Sequence, residues 1–296
     1  MIVSVIIPSY NHQQYIAQAI TSVLDQTWAE IDLIVIDDAS TDGSAAVISK
    51  MHAERGGFRF VRQPQNRGLI NSLNHGLEMA QGQYFCELAS DDFLCRDSIE
   101  KRVHFFTNHQ DHVALFADAI LVNGETETGT CVLDDKRRSL FRQPDPLPPM
   151  LQGVLPIFST GMFRTEILRK IGRFDPQYRC YEDLEMPVLL CLQGKVGFLD
   201  EPVLYRREHA TNVSSTTATI RTDKILCYEK LLRNPALASY ATLIRYQLRR
   251  SYLALGRHLS STGGGNDYER RIFHNAWGYA LHDIRLLWHL LKWGRK

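Results

Sequence analysis

Short apolar runs alternate with amphipathic stretches along the first half of the chain. Residues 3–7 are apolar on both faces, which predicts a central strand of a parallel sheet. Residues 33–36 and 84–88 also predict buried strands, and residues 58–61 predict a shorter one. Between them apolar positions recur at helical spacing, most clearly from Gln13 to Gln26. This alternation with short connections predicts a doubly wound α/β domain.

Two of the predicted strands run directly into paired acids. Asp37 and Asp38 follow the second strand, and Ser90, Asp91 and Asp92 follow the fourth. Adjacent carboxylates repel unless a cation lies nearby, and Mg²⁺ or Mn²⁺ is commonly held by one or two carboxylates together with substrate phosphates. Ligand crevices of open α/β sheets lie at the carboxyl ends of strands, so both acidic ends are expected on one crevice. A simpler interpretation is that Asp91 and Asp92 cap the next helix.

The stretch from Asn123 to Met150 lacks any such periodicity. It is rich in Gly, Thr and acids, then carries the basic run 136–138, and ends in four prolines within residues 144–149. This composition predicts irregular structure. A solvated surface loop is the simpler interpretation, and a basic loop that closes over a ligand or holds an anionic one is the alternative.

Beyond Ser214 the chain becomes helical. Two apolar stripes, from Leu237 to Leu259 and from Phe273 to Leu291, flank a glycine-rich hinge at 260–266. From residue 267 to the end there are six Lys or Arg and three Asp or Glu; Trp288, Trp293, Lys292, Arg295 and Lys296 lie at the tip. This pattern suggests a helix lying on an anionic membrane surface, and packing on the rest of the chain or on another subunit is the alternative.

Composition excludes several classes of protein. The 34 basic and 33 acidic residues balance, so no global field attracts nucleic acid. The six cysteines show no CxxC or metal-finger spacing, which is typical of reduced thiols in a cytosolic protein. The amino terminus has no leader-like segment, and no window reaches the roughly 18 apolar residues of a membrane span. We therefore expect a cytoplasmic protein, with peripheral contact at the inner face of the cell membrane left open.

Four motifs in order carry a family resemblance: residues 4–11 (SVIIPSYN), 37–42 (DDASTD), 66–68 (NRG) and 90–92 (SDD). Together they resemble the signature of glycosyltransferase family 2, the inverting transferases with the GT-A fold. The resemblance implies a Rossmann-like, mostly parallel sheet flanked by helices. It further implies a GT-A catalytic domain over residues 1–214, followed by a helical extension over residues 215–296.

The resemblance also implies roles for the motif residues. Pro8, Ser9, Tyr10 and Asn11 would form the wall of the nucleotide site. Asp38 would accept a hydrogen bond from the uracil imide, and Asn66 and Gly68 would line the base and ribose. Beside Ser90, Asp91 would contact the ribose or sugar, and Asp92 would ligate the Mn²⁺ or Mg²⁺ that bridges the diphosphate. The chain departs from the family at Leu73, where a basic residue is common.

Three further elements resemble the family downstream. Gly161 would lie at the floor of the sugar pocket, where a small residue admits the pyranose. Inverting displacement needs a base for the acceptor hydroxyl, and the Glu182–Asp183 pair resembles the Glu-Asp element whose aspartate is that base. His209 resembles a histidine that reaches metal or diphosphate, although a surface histidine is the ordinary interpretation.

We therefore expect a metal-assisted transferase that moves a hexosyl or N-acetylhexosaminyl group from a UDP-sugar to a saccharide or lipid-linked saccharide hydroxyl, in surface polysaccharide or glycan synthesis. A homo-oligomer is compatible with this. A non-catalytic nucleotide-sugar-binding protein and a transferase acting on a polyprenyl phosphate are the alternatives. A sugar nucleotidyltransferase is disfavoured, because the turn after the first strand is Pro8–Asn11 and not a glycine-rich basic loop.

Overall fold

The first half of the chain forms the predicted alternation of strands and helices. The computed structural model describes residues 1–124, 126–178, 182–209, 217–263, 265–280 and 284–293. The first seven elements are β1 (Val3–Ser9), α1 (Ile16–Leu24), β2 (Ile31–Asp37), α2 (Ser44–Glu54), β3 (Arg59–Arg62), α3 (Leu69–Met79) and β4 (Tyr84–Glu87). The α/β prediction is confirmed.

The middle of the chain is more regular than its composition predicts. It contains β5 (Phe93–Leu94), α4 (Ser98–Asn108), β6 (His112–Asn123), β7 (Thr126–Cys131), α5 (Asp135–Phe141), α6 (Leu147–Leu151), β8 (Met162–Arg164) and α7 (Thr165–Lys170). The prediction of irregular structure over 123–150 was therefore wrong. Asp134 caps α5 by accepting the amide of Arg137 at 2.8 Å. The first turn of α6 holds prolines, because amide donors there need no helical partner.

One mixed sheet organises the molecule, in the order β3-β2-β1-β4-β8-β6-β9-β5, with β7 paired to β6; β9 spans Lys195–Glu208. Strands β1 to β4 are parallel, and β8 is antiparallel to both β4 and β6. Because β9 is parallel to β6, both run in the same direction as β1. The carboxyl ends of β1, β2, β4 and β9 therefore lie at one edge.

The remaining helices share a core with the sheet. After α8 (Glu182–Cys191) and β9, the chain forms α9 (Thr217–Arg233), α10 (Ala241–Ser261), α11 (Asp267–His274), α12 (Trp277–Ala280) and α13 (Ile284–Trp293). Ile6 of β1, Leu248 of α10 and Leu290 of α13 belong to one buried cluster. Lys230 of α9 pairs with Glu185 of α8 at 2.8 Å. The predicted boundary at 214/215 lies outside the described residues.

Pro187 lies inside α8 and not in its first turn. Since proline has no N–H, the carbonyl of Asp183 has no partner four residues on. Asp183 is the second residue of α8. Five cysteines in the described part of the chain are free thiols. None of the described helices is both long and apolar enough to cross a membrane.

Candidate active site

A cavity of about 830 Å³ opens where the carboxyl ends of β1, β2 and β4 meet. This volume is within the usual range for small-molecule sites. It is lined by ten of the residues that the sequence predicts: Pro8, Ser9, Tyr10, Asp38, Asn66, Gly68, Ser90, Asp91, Asp92 and Asp183. The fold therefore brings residues from distant parts of the chain to one hollow.

Asp38 orders the loop that carries Asn66 and Gly68. Its carboxylate is buried and accepts the amide of Arg67 at 2.8 Å and the amide of Gly68 at 2.7 Å. Gly68 has φ +86°, a conformation that favours glycine. Each carboxylate oxygen keeps a second lone pair, so holding this loop leaves Asp38 able to accept another donor.

Asn11 and Gly161 are not among the described residues that line the cavity. The Asn11 side-chain oxygen accepts the amide of Thr41 at 2.8 Å, which ties together the turns after β1 and β2. A side chain at Gly161 would collide with the Phe163 ring, so its small size serves internal packing. Ser159 contributes to the wall instead. Glu182 begins α8, but its side chain lies outside the described residues.

A buried arginine holds the Asp91–Asp92 turn. The backbone amide of Arg207 donates to Asp92 Oδ1 at 2.8 Å, and its guanidinium donates to the carbonyl of Asp91. The guanidinium lies between the rings of Tyr15 and Phe93, at 4.8 and 5.1 Å. Burial and the charge of Asp91 raise the pKa of Asp92 well above its ordinary value. Arg207 was not predicted from the sequence, because its contacts with this turn span more than 100 residues.

Three side chains beside this turn could hold a metal ion. Ligand atoms of His12, Asp91 and His209 all lie within 4.8 Å of one another. Asp91 Oδ2 is 2.9 Å from Nε2 of His209 and 4.0 Å from Nε2 of His12. The other ring nitrogen of His12, Nδ1, contacts Ser90 Oγ at 2.8 Å. In metal sites a hydrogen bond at this second nitrogen commonly fixes the orientation of the imidazole. This arrangement fits a divalent cation that accepts both imidazole and carboxylate, such as Mn²⁺.

This candidate metal group is not the pair that the resemblance implies, Asp92 and His209. His209 was predicted and lies within the group, whereas Asp92 lines the cavity next to it and accepts the amide of Arg207. Sequence analysis missed His12. In the sequence His12 directly follows the Pro8–Asn11 turn. The fold places it next to the acidic turn that follows β4.

Asp183 lies in the same cavity. Its Oδ1 is buried and accepts no hydrogen bond from the described residues. Burial raises the pKa of Asp183 to about 6, while the charges of Arg206 and Lys224 oppose the rise. A carboxylate with a raised pKa is a stronger proton acceptor, as a general base requires.

Glu87 is a further acid of the cavity that sequence analysis missed. It ends β4, is buried, and accepts a hydrogen bond from Ser159 Oγ at 2.7 Å. Burial raises its pKa from 4.5 to about 7. The signal was an acid in an otherwise apolar strand, which is a costly position without a role in a site.

Comparison with known proteins identifies the family. The sequence model of glycosyl transferase family 2 matches residues 4–172. The chain therefore belongs to glycosyltransferase family 2. An uncharacterised glycosyltransferase of Haemophilus influenzae is 32% identical over 219 residues, which are 72% of this chain and 68% of that protein. The minor teichoic acid biosynthesis protein GgaB of Bacillus subtilis is 29% identical over 75% of this chain, but only 24% of GgaB.

Solved structures confirm the GT-A fold. S. aureus TarS (residues 1–349), solved with UDP-GlcNAc, has a TM-score of 0.71 at 20% identity, over 94% of this chain and 80% of that one. The mannosyltransferase PcManGT of Pyrobaculum calidifontis, solved with GDP-Man and Mn²⁺, has a TM-score of 0.64 at 18% identity, over 98% and 83%. At this coverage both matches extend over most of the C-terminal helical region as well as the sheet.

Replacing Glu87 with Gln should change how stability depends on pH. The buried carboxyl has a pKa raised from 4.5 to about 7, so the folded state binds its proton more tightly. The wild type should therefore lose stability as pH rises from 4.5 through 7, by up to about 3 kcal/mol. Glu87→Gln removes this loss, and urea unfolding at pH 5 and pH 8 measures it. Parallel pH profiles for both proteins would contradict the burial argument, and Glu54→Gln, on the surface of α2, is the control.

Proposed function

We propose that this protein transfers a sugar from a UDP-sugar to a hydroxyl of a saccharide or lipid-linked saccharide acceptor, with inversion, in the synthesis of a cell-surface polysaccharide. The observation that carries the proposal is the convergence of Asp38, Asp91, Asp92 and Asp183 on one cavity. The family, the UDP-GlcNAc bound by TarS and the teichoic acid role in the name of GgaB support it.

Asp183 would be the catalytic base. In an inverting transfer the acceptor hydroxyl attacks the anomeric carbon opposite the leaving diphosphate and loses its proton as the bond forms. Asp183 offers a carboxylate in the cavity with a pKa of about 6 and one oxygen without a hydrogen-bond partner among the described residues. A non-catalytic binding protein would gain nothing from such an arrangement, because an unpaired buried carboxylate costs stability.

His12, Asp91 and His209 would hold the divalent cation. A cation bound there would offset the negative charge that develops on the departing diphosphate. Two imidazoles and one carboxylate favour Mn²⁺ over Mg²⁺, which prefers oxygen ligands. The Mn²⁺ in the PcManGT complex supports a metal in this fold. Asp92, the ligand implied by the resemblance, lines the cavity beside Asp91 and remains a candidate ligand.

The nucleotide would occupy the part of the cavity lined by the turns after β1 and β2. Pro8, Ser9 and Tyr10 form one side, and Asp38 holds the loop of Asn66 and Gly68 on the other. An ordered loop lowers the entropy lost when a ligand binds. Asp38 would accept the uracil imide, and Asn66 and Gly68 would contact base and ribose.

The carboxyl-terminal helix offers a surface for a membrane. Trp288 and Leu291 of α13 are more than half exposed, at 55% and 53%. Trp288 also borders a hollow with Arg257 and Arg285, and Lys292 lies 5.2 Å from its ring centre. Exposed apolar side chains among cations are typical of helices at anionic bilayer surfaces. We therefore propose peripheral contact through this face; Trp293 contributes no described side chain, and residues 295 and 296 lie outside the described residues.

Asp183→Asn tests the proposed base. The variant keeps the shape of the side chain but accepts no proton, so sugar transfer should fall by about a thousandfold or more while UDP binding stays within about twofold. Release of UDP from a panel of UDP-sugars with Mn²⁺ measures turnover, and calorimetry measures binding. Asp97→Asn, whose side chain pairs with Lys101 on the surface, is the control. Turnover of Asp183→Asn at the wild-type rate would refute the assignment.

Asp91→Asn and His12→Gln test the metal group. Each removes a ligand atom, so Mn²⁺-dependent binding of UDP should weaken by about tenfold or more, while binding without Mn²⁺ changes little. Titration of UDP with and without Mn²⁺ measures the difference, and Asp92→Ala shows whether the second acid shares the ion. His112→Gln, which loses contacts with Asp111, Phe105 and His109 outside the cavity, is the control. Unchanged metal dependence in Asp91→Asn would exclude this group as the site.

Replacing Trp288 and Leu291 with Ser tests the membrane surface. Loss of two apolar side chains should reduce binding to phosphatidylglycerol vesicles by about tenfold or more in a sedimentation assay. Vesicles of phosphatidylcholine alone are the control, because they lack the anionic charge that Lys292 and the arginines would meet. Equal sedimentation of wild type and variant with the anionic vesicles would rule out this face as the contact.

A further inference from the structure

Helix α5 presents basic side chains in two directions. Arg138 donates to the buried carboxylate of Asp118 at 2.6 Å and lies 3.9 Å from Asp200. Arg142, just after the helix, also bonds Asp200. Asp118 belongs to β6 and Asp200 to β9, so these contacts fix α5 to the sheet. Two of the four cations thus hold the helix in place.

The other two cations, Lys136 and Arg137, line the cavity. Among the described residues, no acid forms an ion pair with Lys136. Arg137 approaches only Asp134, at 4.0 Å, and both side chains are more than half exposed. Exposed pairs at this distance contribute little. Asp134 is moreover engaged in capping α5. An anchored helix therefore presents two nearly uncompensated positive charges to the site.

The donor already has its own positive partners in the cavity. The His12–Asp91–His209 group would supply a divalent cation, and Arg206 lines the cavity close enough for its charge to lower the pKa of both Asp92 and Asp183. These groups come from the turns after β1 and β4 and from β9. Lys136 and Arg137 come from the separate segment between β7 and α6, so the diphosphate does not explain them.

Residues of α5 and the proposed base line the same cavity. Gly153 lines the cavity, and a Cβ there would lie 3.7 Å from Nζ of Lys224. The charge of Lys224 in turn acts on Asp183. The acceptor must approach Asp183, so an acceptor longer than one sugar would extend along the same cavity.

We propose that Lys136 and Arg137 bind a negatively charged group of the acceptor, which is therefore an anionic polymer carrying phosphate or carboxylate groups. Guanidinium and ammonium groups recognise both anions, and arginine does so with two parallel hydrogen bonds. The inference rests on the proposed transferase function, since it identifies the acceptor that this function requires.

The test uses the full chain and three soluble probes: a hexamer of glycerol phosphate, trigalacturonic acid and uncharged hexaglycerol. Calorimetry with UDP and Mn²⁺ present compares the wild type with Lys136→Gln/Arg137→Gln. The matched control is Lys50→Gln/Arg55→Gln, which removes one lysine and one arginine in and directly after α2, where they pair with Glu54 and Asp25. Circular dichroism shows that each variant is folded.

At low salt the wild type and the control should bind one of the two anionic probes at least about tenfold more tightly than hexaglycerol. The double variant should lose this preference while its affinity for UDP stays within about twofold. The phosphate and carboxylate probes then identify the anion. Equal binding of all three probes by the wild type would overturn the inference, as would a parallel loss of UDP affinity, which would assign these cations to the donor. Absence of UDP binding in every protein would instead count against the transferase.

Discussion

The site depends on one interaction, the burial of Arg207 against the Asp91–Asp92 turn. Two adjacent carboxylates at the end of a buried strand repel each other and lose hydration, so they persist only where a cation and amide donors compensate them. Arg207 supplies the amide donor to Asp92, 115 residues away in the sequence, and its guanidinium holds the carbonyl of Asp91. The charge that favours ionised Asp92 comes from the neighbouring Arg206. Arg207 also brings β9 to the turn and thereby places His209 against Asp91. Arg207 is a positioning residue, since its contacts hold the groups that would meet the metal and the donor.

The buried carboxyl groups at this edge of the sheet destabilise the fold, and burial also changes their acidity. The pKa values of Glu87, Asp92 and Asp183 are all raised, and desolvation is the largest cause for each. Groups whose pKa values are strongly shifted by burial cluster at functional sites. These acids lie close together because β1, β2, β3, β4, β6 and β9 run in the same direction, so that their last residues lie at the same edge. The apolar clusters on the two faces of the sheet offset this destabilisation.

Local signals predicted the strands and their acidic ends, and long-range contacts decided the rest. Apolar runs such as 33–36 and the polar residues that follow them can be recognised from a short stretch of sequence. Ten residues predicted in this way or from the resemblance line the cavity. Residues 123–150 were misjudged, because α5 depends on the contact of Arg138 with Asp118, which composition does not reveal. The roles of His12, Glu87 and Arg207 likewise depend on partners more than 70 residues away.

The match to the family model covers only part of the residues that line the cavity. The family model matches residues 4–172, which include the nucleotide wall and the acidic turn, but Asp183 and Arg206 lie beyond it. Asp183 is carried by α8, which packs against α9 through the pair of Glu185 and Lys230. Lys224 of α9 acts on Asp183 as well. The C-terminal helices are therefore part of the structure that sets the position and charge of the proposed base.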